Sequence, residues 1–171
     1  MTITIASEQP DHIDAIRAVN DAAFGQSEES RLIDALRDDN GLTPSLLALN
    51  DDQVVGHIAF SPGIINTDSG DVPAISLSCM AVLPDCQKRG VGSLMVREGL
   101  RQVTDAGHRI VFVLGHPTYY PRFGFQRAST FGIRWEHECP DEAFMIMELQ
   151  PGALTGVSGT VRYHKAFDMF V

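Results

Sequence analysis

Cysteine is scarce in this sequence: Cys79, Cys86 and Cys139 form no C-x-x-C pair, and an odd number leaves no complete disulfide framework. Reduced thiols are the simpler reading. Metal-ligand spacing is missing too, because His12, His57, His108, His116, His137 and His164 are scattered without i, i+4 pairs or a clustered carboxylate. No metal site is expected. No apolar run approaches the roughly 18 residues of a membrane span, and the N-terminus lacks the basic-then-apolar layout of a secretion signal. The expected location is cytoplasmic, with no membrane partner. Basic residues are few, 13 Lys and Arg against 22 Asp and Glu, and the imbalance is uneven. Residues 1–52 hold 11 acidic and 3 basic side chains, a net of -8, whereas residues 53–171 have a net of only -1. A negative surface repels a nucleic acid backbone, so no nucleic-acid partner is expected.

What is present suits one globular domain. A chain of 171 residues is long enough for one substantial core and short for two, and 44% hydrophobic with 20% charged residues is an ordinary soluble composition. Thr2 to Ala6 alternates as a strand does. Pro10 suits a first helical turn, and Ile13, Ile16, Asn20, Ala23 and Phe24 then recur at helical spacing. A second helix starts near Glu28 and stops at Asp39-Asn40-Gly41. Ser45 to Leu49 and Gln53 to Phe60 form a hairpin around Asn50-Asp51-Asp52, with Ser61-Pro62-Gly63 closing its second strand. Ala74 to Val82 is a further strand. The run Val91 to Ala106 has one apolar face of Val91, Gly92, Met95, Val96, Gly99, Val103 and Ala106, with Leu94 as the exception. Ile110 to Leu114 follows, so strand, helix and strand make a right-handed parallel crossover. Further strands are expected at Phe131 to Trp135, at Ala143 to Leu149 and near Thr160 to Tyr163. The fold class is α/β (α+β), a single domain with a mixed central sheet flanked by helices.

The crossover's turn carries the chemistry. Gln87-Lys88-Arg89-Gly90-Val91-Gly92 joins a strand to a helix start, where unpartnered N–H groups and the helix dipole favour an anion. Gly90 and Gly92 let backbone approach a phosphate, and Lys88 and Arg89 add charge. Neither common phosphate loop fits: G-x-x-x-x-G-K-[ST] is absent, and Ser93-Leu94-Met95 follows Gly92 where a dinucleotide fingerprint needs a third glycine. What fits is Q-x-x-G-x-G, read as Gln87, Gly90 and Gly92. With this motif the sequence resembles the GNAT superfamily of acyl-CoA-dependent N-acyltransferases. The run Tyr119-Tyr120-Pro121-Arg122-Phe123-Gly124-Phe125 and the later Phe144 to Leu149 are similar to the YhbS-type branch of that superfamily. The likeness covers roughly Ile3 to Phe167.

The resemblance implies acetyl-CoA as co-substrate. Its pyrophosphate would meet the backbone from Gln87 through Lys88, Arg89, Gly90 and Val91 to Gly92, and Arg97 is a further candidate for phosphate charge. The preceding strand would hold the pantetheine arm through Met80 and Val82, and the Met80 N–H would polarise the thioester carbonyl. The family's acid tyrosine stands four residues before a Gly-Phe pair, which here is Tyr120. A phenol of ordinary pKa about 10 stays protonated at neutral pH and can protonate a leaving thiolate. Tyr119 is its packing neighbour. The general base is open among Glu28, Glu29 and a water chain near Ser78. No histidine is positioned to activate Cys79 or Cys86, so direct transfer is preferred to an acyl-cysteine route.

These residues point to an N-acetyltransferase acting on an amine of a small molecule or protein, as a monomer or homodimer. The acid-rich helices flank the acceptor side in the resembled family, which favours a cationic acceptor. The alternative is a catalytically idle acyl-CoA-binding sensor that would keep the same glycine loop.

Overall fold

In the computed structural model, which describes residues 1–170, the N-terminal alternation becomes strand β1 (Ile3–Ser7). A 3-10 turn at Pro10–His12 leads into α1 (Ile13–Phe24), which Gly25 ends at a φ of 70°. A left-handed residue there turns the chain at no Cβ cost. Helix α2 (Glu28–Asp38) follows, with Glu28 and Glu29 in its first turn, where carboxylates suit the dipole. Next come β2 (Ser45–Asn50), β3 (Gln53–Thr67), β4 (Gly70–Val82), α3 (Val91–Asp105) and β5 (Ile110–Leu114). The chain continues through β6 (Gln126–Arg127), β7 (Ile133–Trp135), β8 (Phe144–Glu148) and β9 (Gly159–Arg162). A 3-10 segment at Lys165–Phe170 follows β9.

The sheet runs β1-β2-β3-β4-β5-β8-β6, and β9 pairs with both β3 and β7. It is mixed: β4/β5 and β7/β9 are parallel and the other pairs antiparallel. On one face α3 sets Val91, Met95, Val96 and Val103 against Phe60, Leu77, Val111 and Val113. Helices α1 and α2 cover the other face of the N-terminal strands, packing Ile16, Val19, Ile33 and Leu36 on Leu47, Cys79 and Ala81. A third cluster joins Phe112, Phe144 and Ile146 to Val161 and Leu154. Each such fully buried large side chain contributes about 1.5–3 kcal/mol by area burial.

Two boundaries differ from the sequence reading. Ser61-Pro62-Gly63 does not close β3, which continues to Thr67 as one arm of a long hairpin with β4. Proline is tolerated because β2 pairing ends at Ala59 and β9 pairing begins at Ile64, so at Pro62 only β4 lies alongside. The expected strand from Ala74 likewise starts earlier, at Gly70. Strand β6 and the segment Lys165–Phe170 had no sequence signal: the two β6 residues are exposed, and only Ala166 is buried in the latter.

Candidate active site

The site begins with a mismatch between strands. Ala59 pairs with Cys79 and Phe60 with Leu77, so Ser78 is an extra residue in β4, a bulge. On its other edge β4 pairs with β5 only at Ile75↔Val111 and Ser76↔Phe112. Beyond those pairs the strands part, leaving Leu77 to Val82 without a strand partner on that side. Backbone polar groups so exposed are available to a ligand, as at a sheet edge. The gap opens into a cleft of about 1030 Å³ that takes lining residues from both layers: Ala23, Phe24 and Glu29 from α1 and α2, and Gly92 and Ser93 from α3.

At the α3 end the glycine loop is shaped by its backbone. A 3-10 turn at Pro84–Cys86 follows β4, then Lys88 takes a φ of 61° and Gly90, the helix N-cap, a φ of 86°. The first α-helical bond is from the Leu94 N–H to the Gly90 carbonyl at 3.1 Å, so the preceding N–H groups have no partner within the helix. The Gln87 side chain donates to the Val82 carbonyl at 3.0 Å, tying the loop to the end of β4. Gly92 is crowded for a reason the sequence does not reveal. A Cβ there would lie 3.0 Å from the Tyr119 hydroxyl and 3.2 Å from Met80 Sδ, so protein side chains are its first obstacle.

The cleft brings together Met80, Val82, Gln87, Lys88, Gly90, Val91, Gly92 and Tyr120. Arg89 does not line it, and Arg97 instead holds its guanidinium 5.2 Å from the Phe123 ring centre. Sequence reasoning passed over Arg122 as a cleft residue. Its guanidinium lies 4.5 Å from the centre of the Tyr119 ring, within the cleft wall. Its signal was its place in the Tyr-Tyr-Pro-Arg run.

The two tyrosines have different surroundings. Tyr120 is 7% exposed, packs edge-on to Phe125 at 5.7 Å, and lies so close to Gly115 that a Cβ there would come within 2.4 Å of its ring. Burial, and then Tyr119 and Cys79, raise its phenol above the ordinary value of 10, so it stays protonated. Tyr119 sits half-buried, with its hydroxyl 3.2 Å from Ser93 Oγ.

Cys79 is buried, and burial followed by the field of Glu29 pushes its thiol up to about 12. It is no thiolate nucleophile at neutral pH. Of the two glutamates considered as bases, Glu29 lines the cleft and Glu28 does not. Ser78 is tied inward, its hydroxyl 2.5 Å from Ser61 and 3.2 Å from Ser76, both fully buried. Much of the N-terminal acid is occupied elsewhere. Arg37 bonds Glu8 and Asp34, Arg17 bonds Asp14 and Asp34, and Asp39 meets His164 and Lys165. Among the described residues no three His, Cys, Asp or Glu side chains are grouped to hold a metal.

The model of the acetyltransferase (GNAT) domain matches residues 4–128. Over 167 residues the chain is 34% identical to the Escherichia coli protein called uncharacterized N-acetyltransferase YhbS, spanning 97% of this chain and 99% of that one. The crystal structure of E. coli YhbS in complex with CoA matches with a TM-score of 0.92 at 33% identity, over 99% of this chain and 93% of that one. A GNAT family acetyltransferase from Brucella melitensis in complex with acetyl-CoA matches at 0.81 and 36% identity, over 98% and 99% of the two chains. With a family model running from β1 to the end of β6 and relatives matched along nearly their whole length, the chain belongs to the GNAT acetyltransferase family.

Proposed function

We propose that the protein transfers an acetyl group from acetyl-CoA directly to an amine, with residues 1–171 acting as one catalytic domain in the cytoplasm. The observation that carries this reading is the cleft through the parted strands β4 and β5, which has a helix start at one end and a protonated tyrosine in its wall. A thioester of coenzyme A suits that shape. Unpartnered N–H groups from Gly90 to Gly92, with Lys88, face a diphosphate, and the open β4 edge at Met80 and Val82 suits an amide-bearing arm. CoA in E. coli YhbS and acetyl-CoA in the Brucella protein support the same assignment.

Acetyl-CoA supplies the thioester carbonyl and the thiolate leaving group. Met80 offers its backbone N–H to the carbonyl oxygen, where a donor stabilises negative charge as it develops. Tyr120 donates its hydroxyl proton to the departing sulfur, a role its raised pKa preserves at neutral pH. Cys79 takes no covalent part, because its thiol is held protonated. The acceptor is a cationic amine that loses its proton on binding.

Calorimetry with coenzyme A, run beside thiol release from acetyl-CoA over a panel of amines, tests the reading. Binding with amine-dependent release is expected. Binding with no release on any amine would instead identify an acyl-CoA sensor.

A further inference from the structure

The cleft has two unlike ends. Its basic lining residues, Lys88 and Arg122, belong to the glycine loop and to the turn whose Tyr119 hydroxyl touches α3. Among the described residues its one acidic lining side chain is Glu29, at the start of α2 on the sheet's other face. The Glu29 field reaches Cys79, which packs toward α1 and α2 beside the Ser78 bulge. Its carboxylate is held in place by Gln26, which donates to both oxygens at 3.0 and 3.3 Å.

The same opening carries apolar surface that the fold leaves uncovered. Phe24, the last residue of α1, is 41% exposed, and Leu114, the last residue of β5, is 40% exposed; both line the cleft. Along β5, Val111 and Val113 pack toward α3 and Phe112 toward the opposite side, so alternation puts Leu114 on the face of α1 and α2. Phe24 and Leu114 therefore line the cleft from two elements on the sheet face that also carries Glu29. Large apolar side chains and an acidic group lining one cleft suit a ligand with an apolar body and a cationic anchor.

Resting on the acetyl-transfer reading, we propose that the acceptor is a small primary amine whose ammonium is attached to an uncharged, apolar body of aryl-alkyl or branched-alkyl type. Phe24 and Leu114 hold the body, and Glu29 draws the ammonium toward the bulge at Ser78. An α-carboxylate on the acceptor is disfavoured, since it would meet Glu29 in a cleft that opposes like charge. Polyamines and amino sugars lack the body that would cover the two side chains. In the reaction the acetyl C–S bond breaks and a C–N bond forms. Of the two protons that the ammonium loses, one is balanced by the proton Tyr120 gives to sulfur, and the other leaves to water.

The test measures thiol release from acetyl-CoA with 2-phenylethylamine, isoamylamine, phenylalanine, spermidine and glucosamine, for the wild-type chain and for Phe24→Ala, Leu114→Asn and Glu29→Gln. Both apolar amines should exceed spermidine and glucosamine in kcat/KM by about tenfold or more, the scale of burying one large apolar group, and 2-phenylethylamine should exceed phenylalanine because only the latter brings a carboxylate to Glu29. Phe24→Ala and Leu114→Asn should raise KM for 2-phenylethylamine with coenzyme A affinity unchanged. Glu29→Gln should narrow the preference for 2-phenylethylamine over phenylalanine. Best turnover on spermidine or glucosamine, or a KM indifferent to both Phe24→Ala and Leu114→Asn, overturns the substrate class while leaving acetyl transfer standing. Coenzyme A binding with no release on any amine overturns acetyl transfer and this inference together.

Discussion

The Tyr119 hydroxyl lies 3.2 Å from Ser93 Oγ, which ties the turn carrying both tyrosines to the first turn of α3. Gly92 sits beside that link, where a Cβ would press on the Tyr119 hydroxyl and Met80 and make them give by a few tenths of an ångström. The glycine loop and the tyrosine turn are therefore one mechanical unit. A change that pushes the loop and the turn apart should be felt in coenzyme A binding.

Gly92→Val is the direct probe of this unit. It should weaken coenzyme A by tenfold or more, because strained packing of about 1–3 kcal/mol falls on the side chains that wall the donor end. Calorimetry on the folded variant checks it, with circular dichroism as the control for folding. Unchanged affinity would remove the glycine loop from the binding site.

Gly99 tests packing rather than chemistry. It lies inside α3 against Phe60, and a Cβ there would come within 2.4 Å of a fully buried ring. Alanine favours a helix interior over glycine by about 1 kcal/mol, but overpacking typically costs about 1–3 kcal/mol. Gly99→Ala should therefore lower Tm, at about 2–4 °C per kcal/mol for a chain of this size. A raised Tm would mean that the ring gives way freely.

Acid should destabilise the fold through a buried histidine. His57 is fully buried, 3.2 Å from Asn20 Nδ2 and 2.8 Å from the Ser45 hydroxyl, and burial lowers its pKa from 6.5 to about 4. The unfolded chain then binds the extra proton first. Stability from this group is complete above pH 6.5 and is lost as pH falls toward 4, by about 3 kcal/mol in all. Neighbouring Glu8 acts in the same direction at lower pH. Burial alone would raise its carboxyl, but hydrogen bonds from Arg37 and Ser45 hold it below its ordinary value. Urea midpoints measured from pH 7 to pH 5 should fall in the wild type and change less in His57→Gln. Parallel slopes would show that His57 takes up its proton alike in the folded and unfolded chain.

Much of this was legible in the residues because it is periodic or local. The apolar face of α3, the strand alternation and the glycine loop at a helix start each follow from spacing within one segment, and Leu94 stood out as the exposed exception. What was hidden depends on partners distant in the chain. The bulge at Ser78 exists only in register with Ala59 and Phe60, and Pro62 is allowed in a strand only because β2 ends before it and β9 starts after it. Glu28 and Glu29 are indistinguishable in sequence, yet only Glu29 lines the cleft. Arg89, adjacent in sequence to Lys88, lies outside it.

The central claim, that Tyr120 protonates the leaving thiolate, is tested most directly by kcat for Tyr120→Phe measured against Tyr119→Phe. Removing the hydroxyl keeps the buried ring and its contacts with Gly115 and Phe125, so folding and coenzyme A affinity should persist. General acid catalysis is worth about 10²–10⁴-fold, and Tyr120→Phe should lose roughly that much kcat with KM for acetyl-CoA little changed. Tyr119→Phe, which gives up only its link to Ser93, should lose far less. Near wild-type turnover in Tyr120→Phe, or a larger loss in Tyr119→Phe, would contradict the assignment.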